Sequence, residues 1–377
     1  MFYRVCRQSP YHRKITPEEI FAGKLSSAPI IPRTYDTIAR TYSDYTPCDA
    51  NVEYLVNVLK SFNEKKEYLR QVERQSLYST FYVPKKSGGL RRIDAPCDDL
   101  KLALRDLKEI FERDFGALYH TSAFAYVKGR CNVDAVKKHQ QNGSKWFLKL
   151  DLHDFFGSTT LDFVIKMLSY IYPFNWVISD EQGNKELRKA LDLAFLNGGL
   201  PQGTPLSPTI TNIMMIPVDF ILSRDLDDFE KQHYVYTRYA DDFLISSKYD
   251  FDFKKIENIV VGVLKKVNAP FNINEKKTRY GSSNGSNWNL GVMLNNKNEI
   301  TIGYKRKRQF QSMLHNYVVD KTNGAPWSYH DVKVLHGLYS YYHMVEPENI
   351  DGIISHFNQK HGVNVLSIIA SDIKSAA

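Results

Sequence analysis

Asp241 and Asp242 stand side by side between two apolar runs, in Arg238-Tyr239-Ala240-Asp241-Asp242-Phe243-Leu244-Ile245-Ser246. Val235, Thr237 and Tyr239 alternate with Tyr236, Arg238 and Ala240 at period two, which predicts a strand. Phe243 to Ser246 returns as a second strand after a turn at the aspartates. Two carboxylates at the tip of an apolar ribbon lose solvation and repel each other unless a cation lies between them. Their hard oxygens suit Mg²⁺ or Mn²⁺. A solvated Asp-Asp turn is the competing reading of these residues taken alone.

A third carboxylate has a similar setting. Lys145-Trp146-Phe147-Leu148-Lys149-Leu150-Asp151 alternates as a strand, with Trp146, Leu148 and Leu150 on one face and Phe147, Lys149 and Asp151 on the other. Asp151 ends this largely apolar strand, just before Leu152-His153-Asp154-Phe155-Phe156-Gly157. A metal shared with Asp241 would supply the partner it needs.

Other stretches would have to position this chemistry. Tyr82 to Ile93 reads as a hairpin whose tip groups Lys85, Lys86, Arg91 and Arg92. Such a tip could grip a triphosphate or be a solvated edge. Asn197 to Pro208 is a Gly/Pro-punctuated loop that brackets Gln202 and enters an apolar-striped helix, with Thr204-Pro205 or Ser207-Pro208 as its start. Val52 to Gln75, Leu100 to Phe115, Asn132 to His139 and Phe253 to Val267 carry helical periodicity. Lys128-Gly129-Arg130 marks a basic loop, and His139 reads as a structural or surface histidine. Asn272 to Thr278 is a polar turn and Asn287 to Leu294 a short strand. Lys305, Arg306, Lys307 and Arg308 open a final helical region, where they could line a phosphate backbone or form a solvated helix start.

The 377 residues suffice for two or three subdomains around a sizeable core. A net charge of +8 favours a polyanionic partner such as nucleic acid, and 24 Tyr with 21 Phe would suit base stacking as well as a core. Cys6, Cys48, Cys97 and Cys131 have no paired spacing, so neither a zinc site nor a disulfide frame is expected. No signal peptide is read in Met1 to Lys14 and no long apolar run is present, so a cytoplasmic protein with no membrane partner is expected.

In their order along the chain, these segments resemble the reverse transcriptases of bacterial retroelements, the group II intron and retron stock. The matching blocks are Pro84 to Arg91, Leu150-Asp151 to Phe155-Phe156, Leu200-Pro201-Gln202-Gly203-Thr204-Pro205-Leu206-Ser207-Pro208, Tyr239-Ala240-Asp241-Asp242, Asn274 to Thr278, and Leu290-Gly291. The resemblance implies a mixed α+β fold: a right-hand polymerase with fingers, an antiparallel palm sheet packed on helices, and a helical thumb. The expected bounds are an N-terminal extension over 1–60, fingers over 61–144, palm over 145–299 with a fingers-like insertion at about 160–198, and thumb over 300–377.

The same resemblance implies RNA-directed DNA synthesis from deoxynucleoside triphosphates with two Mg²⁺ ions, or Mn²⁺. It makes Asp151, Asp241 and Asp242 the catalytic carboxylates, and these three with Leu152 the metal ligands. Lys85 and Arg91 become triphosphate contacts, and Phe156 a bulky residue beneath the sugar. Gln202 falls near the nascent pair and Tyr239 beside the primer end. Lys277 and residues Lys305 to Arg308 become nucleic-acid contacts.

Departures narrow the branch. Asp134-Ala135 and His139 replace the usual retron Asn-Ala-x-x-His, and Asn289-Leu290-Gly291 stands where retrons carry Val-Thr-Gly. The expectation is a stand-alone, defence-associated enzyme working with a non-coding RNA, with a protein partner or self-association left open. Template-independent or protein-primed synthesis on the same palm, or an inactive RNA-binding scaffold, are the alternatives.

Overall fold

The computed structural model describes residues 49–85, 88–115, 119–229, 233–282, 287–289 and 291–375. Most of the expected N-terminal extension, and Lys86, Ser87 and Leu290, lie outside the described residues. The first helix, α1 (Asp49–Lys65), forms because Leu55, Leu59 and Phe62 recur on one stripe and are buried. It stops well short of the expected Gln75. The charged run from Glu64 to Glu67 breaks the stripe, and the chain continues as two 3₁₀ turns. Arg70 secures them by donating to Asn63 Oδ1 and to the Lys189 carbonyl, each at 2.8 Å.

Next come β1 (Tyr78–Pro84) and β2 (Leu90–Pro96), antiparallel with Pro84 opposite Leu90. Helix α2 (Asp98–Phe115), α3 (Asn132–Gln141) and strand β3 (Trp146–Asp151) follow. Three helices occupy the expected insertion: α4 (Leu161–Leu168), α5 (Phe174–Ser179) and α6 (Glu181–Asp192). The stripe after Ser207 is two helices, α7 (Ser207–Met214) and α8 (Ile216–Asp228), with Pro217 in the first turn of α8.

The two aspartates join β4 (Val235–Tyr239) to β5 (Asp242–Ser247). Helix α9 (Phe253–Lys266), β6 (Arg279–Ser282), β7 (Asn287–Asn289), β8 (Val292–Leu294) and β9 (Ile300–Thr301) follow. The chain then runs through α10 (Tyr304–Thr322), α11 (Tyr329–Val345), α12 (Pro347–His361) and α13 (Val365–Ser375). The expected single strand at 287–294 is instead the antiparallel pair β7–β8. Gly291 makes the reversal at φ 92°, and the Arg306 guanidinium, donating to its carbonyl at 2.6 Å, fills the space a Cβ would take.

The four-stranded sheet has the order β4-β5-β3-β6. Lys145 N donates to Ser247 O at 2.9 Å and Leu152 N to Asp241 O at 3.1 Å, which sets β3 and β5 antiparallel. This mixture of antiparallel sheet and helices is the α+β class expected.

The chain divides into two compact units. Among the described residues, the first comprises 49–85, 88–115, 119–130, 149–229, 233–243 and 252–279. In it α1 is tied to α6 by Asn63, whose Nδ2 donates to Glu186 O at 2.9 Å and Oε2 at 2.7 Å. The second comprises residues 131–148, 244–251 and 280–377. Its core gathers Trp288, Phe310, Leu314, Tyr317, Leu335, Ile350 and Ile369.

His139 is buried in the second unit, its Nδ1 2.6 Å from Ser246 Oγ and its ring beside Trp288. Burial, with a smaller push from Lys138, lowers its pKa from 6.5 to about 3. The folded imidazole therefore stays neutral while the unfolded one protonates, so stability is lost as pH falls from about 6.5 toward 3. His139→Gln should flatten that acid limb by several kcal/mol, on the order of 1.4 per pKa unit. The difference between wild-type and variant urea midpoints at pH 4 and pH 7 measures it. Equal differences at both pH values would contradict it.

Candidate active site

Strand β3 delivers Asp151 to one end of the sheet, and the tight turn after β4 delivers Asp241 and Asp242 to the same end. The bond from Leu152 N to Asp241 O fixes the two strand ends together. Ala240 closes the turn at φ 59°, a left-handed conformation that costs an L residue energy and persists where its surroundings hold it. Asn274 N donates to the Asp151 carbonyl at 2.8 Å, so the polar turn before β6 lies against the same strand end.

Two of the three carboxylates have lysine partners. Asp151 is buried, and Lys277 Nζ lies 2.9 and 3.0 Å from its two carboxylate oxygens. Asn274 Nδ2 adds a longer contact at 3.3 Å. Lys149 Nζ lies 2.8 Å from Asp242 Oδ2. Burial first, then the neighbouring charges of Asp242 and Asp151, push Asp241 up to about 6. The three carboxylates therefore form one electrostatically coupled group. Among the described residues no cluster of three His, Cys, Asp or Glu is gathered closely enough to hold an ion as it stands. Hard carboxylate oxygens are nevertheless the donor type that suits divalent cations, which would take the place of the Lys277 and Lys149 ammonium groups now paired with Asp151 and Asp242.

Around this group, the β1–β2 hairpin carries Lys85 and Arg91 at its exposed tip. Lys85 N donates to Gly89 O at 2.9 Å, and Val83 pairs with Arg91. Arg92 instead donates to Asp94 Oδ1 at 2.9 Å, which holds the ribbon. The Gln202 loop is laid on β2 by Asp94 N donating to Gln202 O at 2.8 Å. Gly203, at φ 121°, passes so close that a Cβ would stand 2.9 Å from Ile93 Cγ2. The loop's other end meets Phe156, whose carbonyl accepts from Leu200 N at 2.9 Å. Thr204 Oγ1 accepts from Ser207 N at 3.2 Å just ahead of α7, whose N-cap residue is Leu206 and whose first turn carries Pro208. Phe156 is half-buried, edge-on to Phe155, and Tyr239 is half-buried at the end of β4. Leu152 is buried beside Asp151.

The basic group at the start of α10 belongs to the second unit, and two of its four members have internal partners. Arg306 holds Gly291, and Lys307 Nζ lies 2.9 Å from Glu346 Oε2. Lys305 and Arg308 are exposed, with the Arg308 guanidinium over the Tyr304 ring at 5.6 Å. Lys277 spends its charge on Asp151.

Sequence reasoning did not single out the support beneath the turn. Arg238 and Asp219 are 1% and 0% exposed and pair through two hydrogen bonds of 2.8 Å. Tyr236 also donates to Asp219 at 2.8 Å, while Arg238 Nη1 reaches Asn212 Oδ1 at 3.1 Å and the Ala240 carbonyl at 3.3 Å. A signal was present: Arg238 interrupts an apolar strand face between Tyr236 and Ala240, and a charge there demands a buried partner.

Residues 83–312, more than half of the chain, match the family described as Reverse transcriptase (RNA-dependent DNA polymerase). The chain is 28% identical over 300 residues to the Retron Ec83 reverse transcriptase of Escherichia coli, covering 78% of this chain and 89% of that one. It is 29% identical over 246 residues to the Retron Ec73 reverse transcriptase of Escherichia coli, covering 63% and 72%. Against the Retron Mx65 reverse transcriptase of Myxococcus xanthus it is 29% identical over 296 residues, covering 75% and 64%. Apo telomerase from Candida tropicalis aligns at a TM-score of 0.46 and 11% identity, over 79% of this chain and 57% of that one. With its family match running from the end of the basic hairpin's first strand into α10, the chain belongs to the reverse transcriptase family and is an RNA-directed DNA polymerase.

Proposed function

We propose that this polymerase copies an RNA it carries with it into DNA, using Asp151, Asp241 and Asp242, with the Leu152 carbonyl, to hold two Mg²⁺ ions. The observation that supports the reading is that Asp151, Asp241 and Asp242 lie at one end of the sheet, where Leu152 N donates to Asp241 O at 3.1 Å. When bound, the ions would lower the pKa of a primer 3′-hydroxyl and neutralise charge on the triphosphate.

The chain's own residues supply the rest. Lys85 and Arg91 meet phosphate charge from the hairpin tip. The Gln202 backbone, fixed on β2, lines the nascent pair, and Tyr239 backs the primer end. Phe156 lies under the sugar and rejects a 2′-hydroxyl by contact. Lys305, Arg308 and the remaining basic surface contact the nucleic-acid backbone. The assignments of fingers to 61–144, palm to 145–299 and thumb to 300–377 belong to the same reading, as do a role in defence and a cytoplasmic location. Relatives named as retron enzymes favour a dedicated RNA over an arbitrary template.

The test is to purify the protein from its native host, sequence the nucleic acid it retains, and assay deoxynucleotide incorporation with Mg²⁺. A discrete RNA, with DNA product complementary to it, supports the proposal; product made with no RNA present would sink it. The sugar contact gives a separate expectation. Phe156→Ala should raise ribonucleotide use relative to deoxynucleotide use by about tenfold or more, the size of a lost steric contact in a tight pocket. An unchanged ratio of the two kcat/KM values would remove Phe156 from that role.

A further inference from the structure

The segment before α3 is tied to the strand that leads to Asp241 and Asp242. Ala123 pairs with Arg238 as a short parallel bridge. Arg238 N donates to Ser122 O at 2.6 Å, and Phe124 N donates to Arg238 O at 2.9 Å. Asn212 Nδ2 fixes the Ala125 carbonyl at 2.7 Å, and Arg130 Nη1 fixes the carbonyls of His120 and Ala123, each at 2.7 Å. The segment is thereby held beside the end of β4, and Tyr126 follows in the turn directly after it.

Tyr126 departs from ordinary behaviour in two ways. Its φ is 58°, in the left-handed region that a bulky L residue adopts only when its surroundings impose it. The residue is also 52% exposed, although a tyrosine ring gains by burial. Its hydroxyl is raised by burial first and then by Asp241 and Tyr239, and lowered by Arg91. Those neighbours are the groups assigned above to the metal site, the primer end and the triphosphate. A strained backbone that presents an open aromatic face at that point is a contact surface, since core packing would need neither the strain nor the exposure.

We propose that Tyr126 is a nucleotide-contacting residue whose ring packs against the sugar and base of the incoming deoxynucleotide, between Arg91 and Tyr239. This assignment rests on the polymerase reading of the site. Packing of a base or sugar on an aromatic ring strengthens binding, so loss of the ring should weaken nucleotide binding by about tenfold or more.

The test compares wild type, Tyr126→Asn and Tyr126→Phe. Asparagine removes the ring yet tolerates the left-handed backbone, and phenylalanine keeps the ring. Two quantities are read: kcat and KM for a deoxynucleoside triphosphate on a fixed primer–template, and retention of that nucleotide by a complex whose primer is dideoxy-terminated. The second needs no chemistry. Tyr126→Asn should raise KM and weaken retention by about tenfold or more, with kcat and primer–template affinity nearly unchanged, and Tyr126→Phe should behave as wild type. Unchanged KM and retention in Tyr126→Asn would overturn the assignment, as would parallel loss of primer–template affinity and thermal stability. A wild type that retains no deoxynucleotide would instead overturn the polymerase reading on which it rests.

Discussion

Asp219→Ala is expected to lower the unfolding free energy by about 3–5 kcal/mol, because it strands the Arg238 guanidinium in the interior. Arg238 and Asp219 are 1% and 0% exposed, so water cannot replace the lost carboxylate without the core opening. Tyr236 loses its acceptor in the same change. Arg238 also holds the Ala240 carbonyl, so the damage extends to the turn that presents the aspartates. Replacing both partners, as Asp219→Leu with Arg238→Met, should recover much of the stability, since no uncompensated charge remains. DNA synthesis should not recover with it, because the turn has lost its tether. Denaturant unfolding of the wild type and the two variants measures the first part; a loss below about 1 kcal/mol for Asp219→Ala would show that the pair is not a keystone.

Asp241→Asn is expected to move activity and stability in opposite directions. On the proposed metal role, loss of this carboxylate should reduce deoxynucleotide incorporation by at least about a thousandfold, the scale set by removing a group that stabilises transition-state charge. Yet the metal-free protein should become more stable. Its ionised form is held in a buried position beside Asp242 and Asp151, which push its pKa up to about 6 from 3.8. A neutral amide of the same shape relieves that repulsion, on the order of 1–3 kcal/mol given about 1.4 kcal/mol per pKa unit. Mg²⁺ should raise the melting temperature of the wild type and leave Asp241→Asn nearly unmoved, since a ligand stabilises only the state that binds it. A variant less stable than wild type without metal would mean that the carboxylates are not in mutual repulsion.

The divergent gains and losses at this site track what was legible in the sequence. The hairpin at Asp241-Asp242, the strand ending at Asp151 and the helix after Ser207 were readable because period-two and helical stripes act locally. The face-sharing of Lys149 and Asp151 was readable for the same reason. The end of α1 was not: apolar residues recur past Lys65, but a run of charge and the pull of Leu69 into the core end the helix there. The β7–β8 reversal depends on Arg306 filling the space over Gly291, a contact between residues fifteen apart that no local pattern encodes. Lys277 shows the same limit at the site. The expectation made it a nucleic-acid contact, and in this structure its ammonium lies against Asp151, 126 residues away along the chain. Arg238 was visible as a charge on an apolar face, but its partner Asp219 lies on a helix that sequence alone could not place beside it.

The most direct test of the central claim is primer extension on an RNA template of known sequence, comparing wild type with Asp241→Asn under Mg²⁺. The account predicts a deoxynucleotide product complementary to the template in the wild type and none above background in the variant. A variant that extends the primer at the wild-type rate, or a wild-type product whose sequence ignores the template, would contradict it.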